Sequence, residues 1–268
     1  YIVIGAGSAG CVMANRLSEN DKHSVLSIEA GGKDRNFFIH MPSGYSQLVP
    51  TKSSLNYGYE TQPEPTTNNR KLYWPRGKVW GGSSSINAMV YIRGHAYDYD
   101  QWRQLGNTGW AYDDVLPYFK KAENFQGDGD EDFHGFEGPL SVKKSSRKDD
   151  LLLDVFLEAG EQAGFPLTDD FNGKEQEGFS RYEHTMKDTT FGPRRWSAAR
   201  AYLHPALKRK NLSTETNVQV NRIIFEGKKA IGVEYVKNGK VFVCKSNKEI
   251  IISAGAINSP QILMNSGV

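Results

Sequence analysis

The stretch Tyr1-Ile2-Val3-Ile4-Gly5-Ala6-Gly7-Ser8-Ala9-Gly10 passes from an apolar run straight into a glycine cluster. Ala9, Met13 and Leu17, with Val12 beside them, then recur at helical spacing. Ser24-Val25-Leu26-Ser27-Ile28-Glu29 is a second strand that ends in an acid, followed by the turn Gly31-Gly32. Strand, helix and strand within about thirty residues predict a parallel, buried sheet. Gly5 permits the tight turn, Gly7 lets a pyrophosphate approach the backbone, and Gly10 lets helix and strand pack closely. Glu29, nineteen residues beyond Gly10, stands where an acid accepts hydrogen bonds from the hydroxyls of an adenosine ribose. Together these features predict an adenine dinucleotide site. They do not choose between NAD and FAD.

Farther along, Phe37 to Pro75 dissolves into Pro, Ser, Thr, Asn and aromatics, a long excursion expected to cover something. Helical spacing returns near Val115 to Glu123, then over Leu151 to Ala163, where Gly164-Phe165-Pro166 stops it. A further helix is expected from Ser197, as its N-cap, to Lys208. Strands are expected at Leu212 to Thr216, at Ile223 to Val236 with breaks at Gly227 and Gly232, and at Val241 to Ile252. Asn238-Gly239 is a hairpin signal. The acidic run Gly127 to Asp132 lacks the ligand spacing of a calcium loop and reads as a solvated turn; no metal site is expected.

Composition narrows the function further. Of 268 residues, 33 are Lys or Arg and 31 Asp or Glu, a net charge of +2 with no dense basic run. Nucleic-acid binding therefore has no electrostatic footprint. No apolar run approaches the ~20 residues of a membrane span. Cys11 and Cys244 lie far apart and read as two reduced thiols rather than a disulfide framework.

Two more segments carry chemistry. Arg76-Gly77-Lys78-Val79-Trp80-Gly81-Gly82-Ser83-Ser84-Ser85-Ile86-Asn87-Ala88-Met89-Val90-Tyr91 holds small residues whose bare amides and hydroxyls suit a diphosphate or the rim of a planar ring. Gly255-Ala256-Ile257-Asn258-Ser259-Pro260 reads as strand end, glycine turn and helix start. The three clusters, in this order, resemble the glucose-methanol-choline (GMC) flavoprotein oxidoreductases. Phe133-His134-Gly135 with Gly138-Pro139-Leu140, and Asp169 to Gly173 with Glu177-Gly178-Phe179, resemble its choline-dehydrogenase-like branch. The resemblance covers essentially the whole chain, as an N-terminal portion of the family. It implies an α/β fold: a Rossmann-like FAD-binding domain with a mainly parallel sheet, plus part of an α+β substrate domain.

By this resemblance, residues 1–45 and 206–268 form the FAD domain, 46–140 cover the cofactor, and 141–205 begin a substrate domain. Gly5, Gly7, Ser8, Ala9, Gly10 and Glu29 match positions that hold the ADP half of FAD. Gly81, Gly82, Ser83 and Ser84 match residues around the diphosphate and flavin, and Asn87, Ala88 and Met89 pass its reactive edge. Val220 and Ala254 match positions near the adenine half. Ile86 stands where some members carry a flavin-linked histidine, so the FAD is expected to be non-covalent.

The family passes hydride from an alcohol to flavin N5, with a C-terminal histidine pair handling the proton. None of His23, His40, His95, His134, His184 and His204 matches that pair, so no catalytic residue is expected here. His204 is read as structural and His95 as an exposed loop residue. The chain begins at Tyr1 and stops at Val268 within a helix, and so reads as a fragment inactive alone. The partners implied are a choline-like or other primary alcohol and an electron acceptor, oxygen or a quinone-type carrier. The location implied is cytoplasmic or membrane-peripheral. Alternatives are a light-driven decarboxylase of the same family, an NAD(P)-dependent Rossmann dehydrogenase, and a catalytically silent flavin-binding module. An aromatic cage for a cation could draw on Tyr57, Tyr59, Trp74 and Tyr91, although packing is the expected role of these rings.

Overall fold

A computed structural model describes residues 1–144 and 150–268. They divide into two compact units, Tyr1–Ala88 with Arg194–Val268, and Met89–Pro193. Residues 46–88 and 194–205 thus pack with the first unit, whatever role the covering stretch has.

In the first unit, strand β1 (Ile2–Ile4) leads into helix α1 (Ser8–Leu17) and then strand β2 (Val25–Glu29). β1 lies between β2 and Ile250–Ile252, and Leu212–Thr216 flanks β2, all parallel. Every residue of β1 is buried. That suits a strand covered on both faces, which reads as a continuous apolar run rather than an alternating one.

A second sheet in the same unit is antiparallel and runs Val218–Glu226, Lys229–Lys237, Lys240–Lys245. Asn238 and Gly239 turn its last hairpin with φ of 51° and 73°, the left-handed pair a tight turn demands. Ile2, Ile4 and Ile28 of the parallel sheet share one core with Val218, Val220, Ile223 and Val233 of the antiparallel sheet and Ile262 of the helix Gly255–Asn265. Each such fully buried side chain contributes about 1.5–3 kcal/mol.

Several expectations change in detail, among them the break at Gly232, through which the strand Lys229–Lys237 runs unbroken. Val241 to Ile252 is not one strand: Lys240–Lys245 ends the antiparallel sheet, and Ile250–Ile252 joins the parallel one. The helix expected from Ser197 contains a turn of wider π-helix at Ala199–Leu203 before His204–Ala206, and Ser197 Oγ accepts the amide of Arg200 at 3.3 Å.

The second unit holds a mixed four-stranded sheet in the order Val90–Tyr91, Glu183–His184, Leu140–Lys144, Glu123–Phe125. Its helices are Ala96–Gln104, Tyr112–Ala122 and Leu151–Gln162. Glu123, expected at a helix end, is instead the first residue of a strand. Cys11 and Cys244 are free thiols. Among the described residues no helix is long and apolar enough to cross a membrane.

Candidate cofactor-binding site

At the carboxyl ends of β1 and β2 the first unit encloses a cavity of about 470 Å³. Its wall includes Gly5, Gly7, Ser8 and Ala9 from the first turn, Glu29, Gly82 and Ser83, and Val220 and Ala254. Crevices at the carboxyl ends of parallel strands are where open α/β sheets take their ligands.

The glycines divide the labour. A Cβ on Gly10 would stand 1.8 Å from the Gly5 carbonyl oxygen, so only glycine lets α1 lie this close to β1. A Cβ on Gly7 would meet no protein atom nearer than 3.9 Å. Packing therefore gives no reason for glycine at position 7, whereas a ligand approaching the backbone does. Gly7 is also the N-cap of α1 and lends the helix no side-chain hydrogen bond. The first amides of α1 are left without intrahelical partners at the positive end of the helix dipole, as a diphosphate requires. An adenine dinucleotide fits this donor set.

Glu29 is buried. Its Oε2 accepts the Ala6 amide at 2.8 Å and its Oε1 the Gly31 amide at 2.9 Å. Burial pushes its carboxyl above the usual range, against the pull of those amides. The two bonds aim the carboxylate and leave each oxygen a second lone pair for a hydroxyl donor.

Other expected residues stand behind the wall. Gly10 and Gly81 are buried, with the Gly81 amide bonded to the Ala6 carbonyl at 2.7 Å. Ser84 Oγ donates to the Gly81 carbonyl at 2.6 Å, closing the loop on itself. Asn87 Oδ1 accepts from Arg195 at 2.8 Å, and Ala88 is exposed. Met89 is buried in the second unit with φ of 66°. Ile86 packs in a small apolar cluster with Ile39, Leu48 and Val79.

Sequence reasoning missed part of the wall. Tyr57 and Tyr59 stack with ring centroids 5.0 Å apart, and both line the cavity. The Tyr59 hydroxyl donates to Asn258 Oδ1 at 2.7 Å. Trp74, paired across a short ladder with Tyr59, is exposed and does not line it. Arg76, Gln219 and Ser253 also contribute. The sequence singles out Tyr57 and Tyr59 only as packing rings and Arg76 only as the head of the second segment, and the folded chain alone brings them to this wall with Gln219 and Ser253.

The chain belongs to the GMC oxidoreductase family, which it matches over residues 1–268. It is 51% identical over 268 residues to the oxygen-dependent choline dehydrogenase of Rhizobium etli, covering all of this chain and 47% of that protein. It is 49% identical over 275 residues to the mitochondrial choline dehydrogenase of Homo sapiens, covering all of this chain and 45% of that one. Among solved structures, pyridoxine 4-oxidase from Mesorbium loti superposes with a TM-score of 0.92 at 33% identity, over all of this chain and 51% of that chain. An FAD-dependent oxidoreductase from Chaetomium thermophilum does so with 0.90 at 31%, over all of this chain and 47% of the other. The chain spans about half the length of the curated relatives it matches. The family and its flavoprotein neighbours indicate FAD as the cofactor.

The six histidines have evident local partners or places. His204 Nε2 lies 2.9 and 3.1 Å from the two carboxylate oxygens of buried Asp34, and His40 Nε2 lies 2.7 Å from the Asp34 carbonyl. His95 is not simply a loop residue: it caps Ala96–Gln104, its Nδ1 accepting the Tyr97 amide while Asp98 accepts the amide of His95. His23 packs edge-on against Tyr1, and His184 sits in a short strand. Among the described residues, no histidine lines the cavity.

His134 is the most tightly held. It lies buried between Glu123 Oε2 at 3.1 Å and Asp170 Oδ2 at 2.7 Å, with Arg93 pairing to Glu123 at 2.8 Å. His134, Asp170 and Glu183 offer ligand atoms within 4.8 Å of one another, a grouping not anticipated from sequence. Both ring nitrogens of His134 already face carboxylates, which makes the group an ion-pair network.

Proposed function

We propose that this chain forms the FAD-holding portion of an enzyme that oxidises a primary alcohol, with a choline-like compound as the substrate class. The observation that carries the cofactor is Gly7: its missing side chain leaves open the space beside the uncapped amides of α1, where a diphosphate would lie. The alcohol is carried by likeness to choline dehydrogenases at about half identity over the whole chain.

The residues divide as follows. The amides of Ser8 and Ala9, with Gly5, Gly7 and Gly10 shaping the turn, hold the diphosphate. Glu29, aimed by Ala6 and Gly31, accepts the ribose hydroxyls. Val220 and Ala254 border the adenine, while Gly81, Gly82, Ser83 and Ser84 support the flavin side with Asn87, Ala88 and Met89. Bound FAD supplies the hydride acceptor. The group that takes the alcohol's proton lies outside these residues, since the six histidines are placed elsewhere. The FAD is held without a covalent bond, because Ile86 has no nucleophile and its side chain is committed to the apolar cluster. The electron acceptor is oxygen or a quinone-type carrier. Residues 46–88, which pack with the first unit, cover the cofactor.

The test is anaerobic mixing of the flavin-loaded full-length protein with choline and with other primary alcohols. Bleaching of the flavin band by choline and its near analogues supports the reading, and a band unmoved by any alcohol contradicts it. Acid precipitation should leave the yellow colour in solution; colour carried down with the protein would show a covalent link.

A further inference from the structure

Arg195 is wholly buried, yet every partner it has is neutral. Its Nε donates to the Ile39 carbonyl at 2.7 Å, and its Nη1 to the Ser84 carbonyl at 3.2 Å and to Asn87 Oδ1 at 2.8 Å. Nη2 is buried and has no hydrogen-bond partner. No carboxylate pairs with Arg195 among the described residues. Burial lowers its pKa to about 10, which still leaves it charged at neutral pH. A buried cation without a counter-anion is costly to a fold, and most buried charges are paired.

The placement of this charge is specific. Its forked bonds end on residues 84 and 87, the far side of the loop whose Gly82 and Ser83 line the cavity. The same backbone segment grips the loop again, the Ala198 amide donating to Ser84 Oγ at 3.0 Å. A charge this poorly screened by water acts on the cavity far more strongly than a surface lysine would.

We propose that Arg195 is a positioning residue of the cofactor site, which fixes the loop from residue 81 to residue 87 and supplies the unanswered positive charge that stabilises the anionic cofactor, most of all in its reduced form. The proposal rests on the FAD reading above. FAD brings two phosphate charges, and the flavin gains a further negative charge when it is reduced and ionised. A fixed cation behind the loop therefore raises both the affinity for FAD and the reduction potential of bound flavin. A residue that only packed the loop would change affinity and stability without acting through its charge.

The test uses three variants of the full-length protein, read by FAD affinity and by the reduction potential of the bound flavin. Arg195→Gln keeps amide donors and removes the charge; it should bind FAD about tenfold or more weakly, equivalent to about 1.4 kcal/mol, and shift the potential to more negative values. Arg195→Lys keeps a charge without the fork and should hold a potential near wild type while melting earlier. Ser84→Ala loosens the same loop with Arg195 intact, so it should weaken FAD binding and leave the potential in place.

Arg195→Gln with wild-type affinity and potential overturns the proposal. So does a potential shifted as far by Ser84→Ala or Arg195→Lys as by Arg195→Gln. If Arg195→Gln does not fold, a potential moved away from wild type in Arg195→Lys or Ser84→Ala overturns the proposal, and a potential held in both supports it. Wild-type protein that takes up no flavin removes the cofactor reading and this proposal with it. A flavin-loaded Arg195→Gln protein with an unmoved potential removes this proposal alone.

Discussion

Gly82 and Gly7 face each other so closely that a Cβ on Gly82 would lie 2.8 Å from the Gly7 Cα. Two glycine clusters far apart in the chain thus make one wall, and the site depends on both staying bare. Gly82→Ala sets a methyl group against backbone that cannot swing aside, at a residue with φ of 53°. The expected loss is about 1–3 kcal/mol of stability from overpacking and backbone strain, seen as a lower denaturation midpoint, together with lost flavin. An alanine variant as stable and as yellow as wild type would show that the two loops do not meet this way.

Gly7→Ala separates fold from function. The added methyl meets no protein atom within 3.9 Å, and the φ of −76° suits alanine. Stability should change by less than about 1 kcal/mol, the range of an N-cap Gly to Ala change. FAD affinity should fall tenfold or more. Chemical denaturation beside flavin titration checks both halves of this expectation.

Glu29→Gln keeps the shape of the side chain but turns one of its oxygens into a donor. One of the amides of Ala6 and Gly31 then faces an NH₂ group instead of an acceptor. Leaving a buried donor unmatched costs about 1–3 kcal/mol. The variant should be less stable and bind FAD more weakly, measured by melting with and without cofactor.

The second unit should show a distinct pH response through His134. Burial opposes its charge, but hydrogen bonds to Asp170 and Glu123 outweigh burial and raise its pKa to about 9, above the ordinary value of ~6.5. The protonated ring thus favours the fold: its stabilisation is complete below about pH 6.5 and is lost as pH climbs through about 9. Burial likewise works against the Asp170 carboxylate, yet the bonds from His134 and the Asn172 amide hold its pKa below the ordinary value. Its contribution is present above ~3.9 and lost as pH falls further. Urea midpoints should decline from pH 6.5 to 9, and His134→Gln should flatten that decline while lowering stability overall. An unchanged slope would rule out this ring as its source.

The first part of the site was legible because the residues of its opening turn are close in sequence. The run from Gly5 to Glu29 fixes a turn, a helix start and an acid by spacing alone, and Asn238-Gly239 marks its hairpin by backbone preference. A single strand over 241–252 passes over the polar run Lys245-Ser246-Asn247-Lys248-Glu249, which was the signal dividing Lys240–Lys245 from Ile250–Ile252. The helix Ala96–Gln104 went unseen because it buries none of its residues and so has no apolar periodicity to betray it. Its capping box, begun by His95 rather than by the usual Ser, Thr, Asp or Asn, was the signal available. Arg195 carries no local signature at all, because its partners at positions 39, 84 and 87 meet it only in the folded chain.

The most direct test of the central claim is the visible absorbance spectrum of the purified protein after mixing with FAD and desalting. Retained flavin bands, with binding lost in Gly7→Ala at unchanged stability, are the predicted result. A colourless protein that circular dichroism shows to be folded would contradict the assignment of this cavity to FAD.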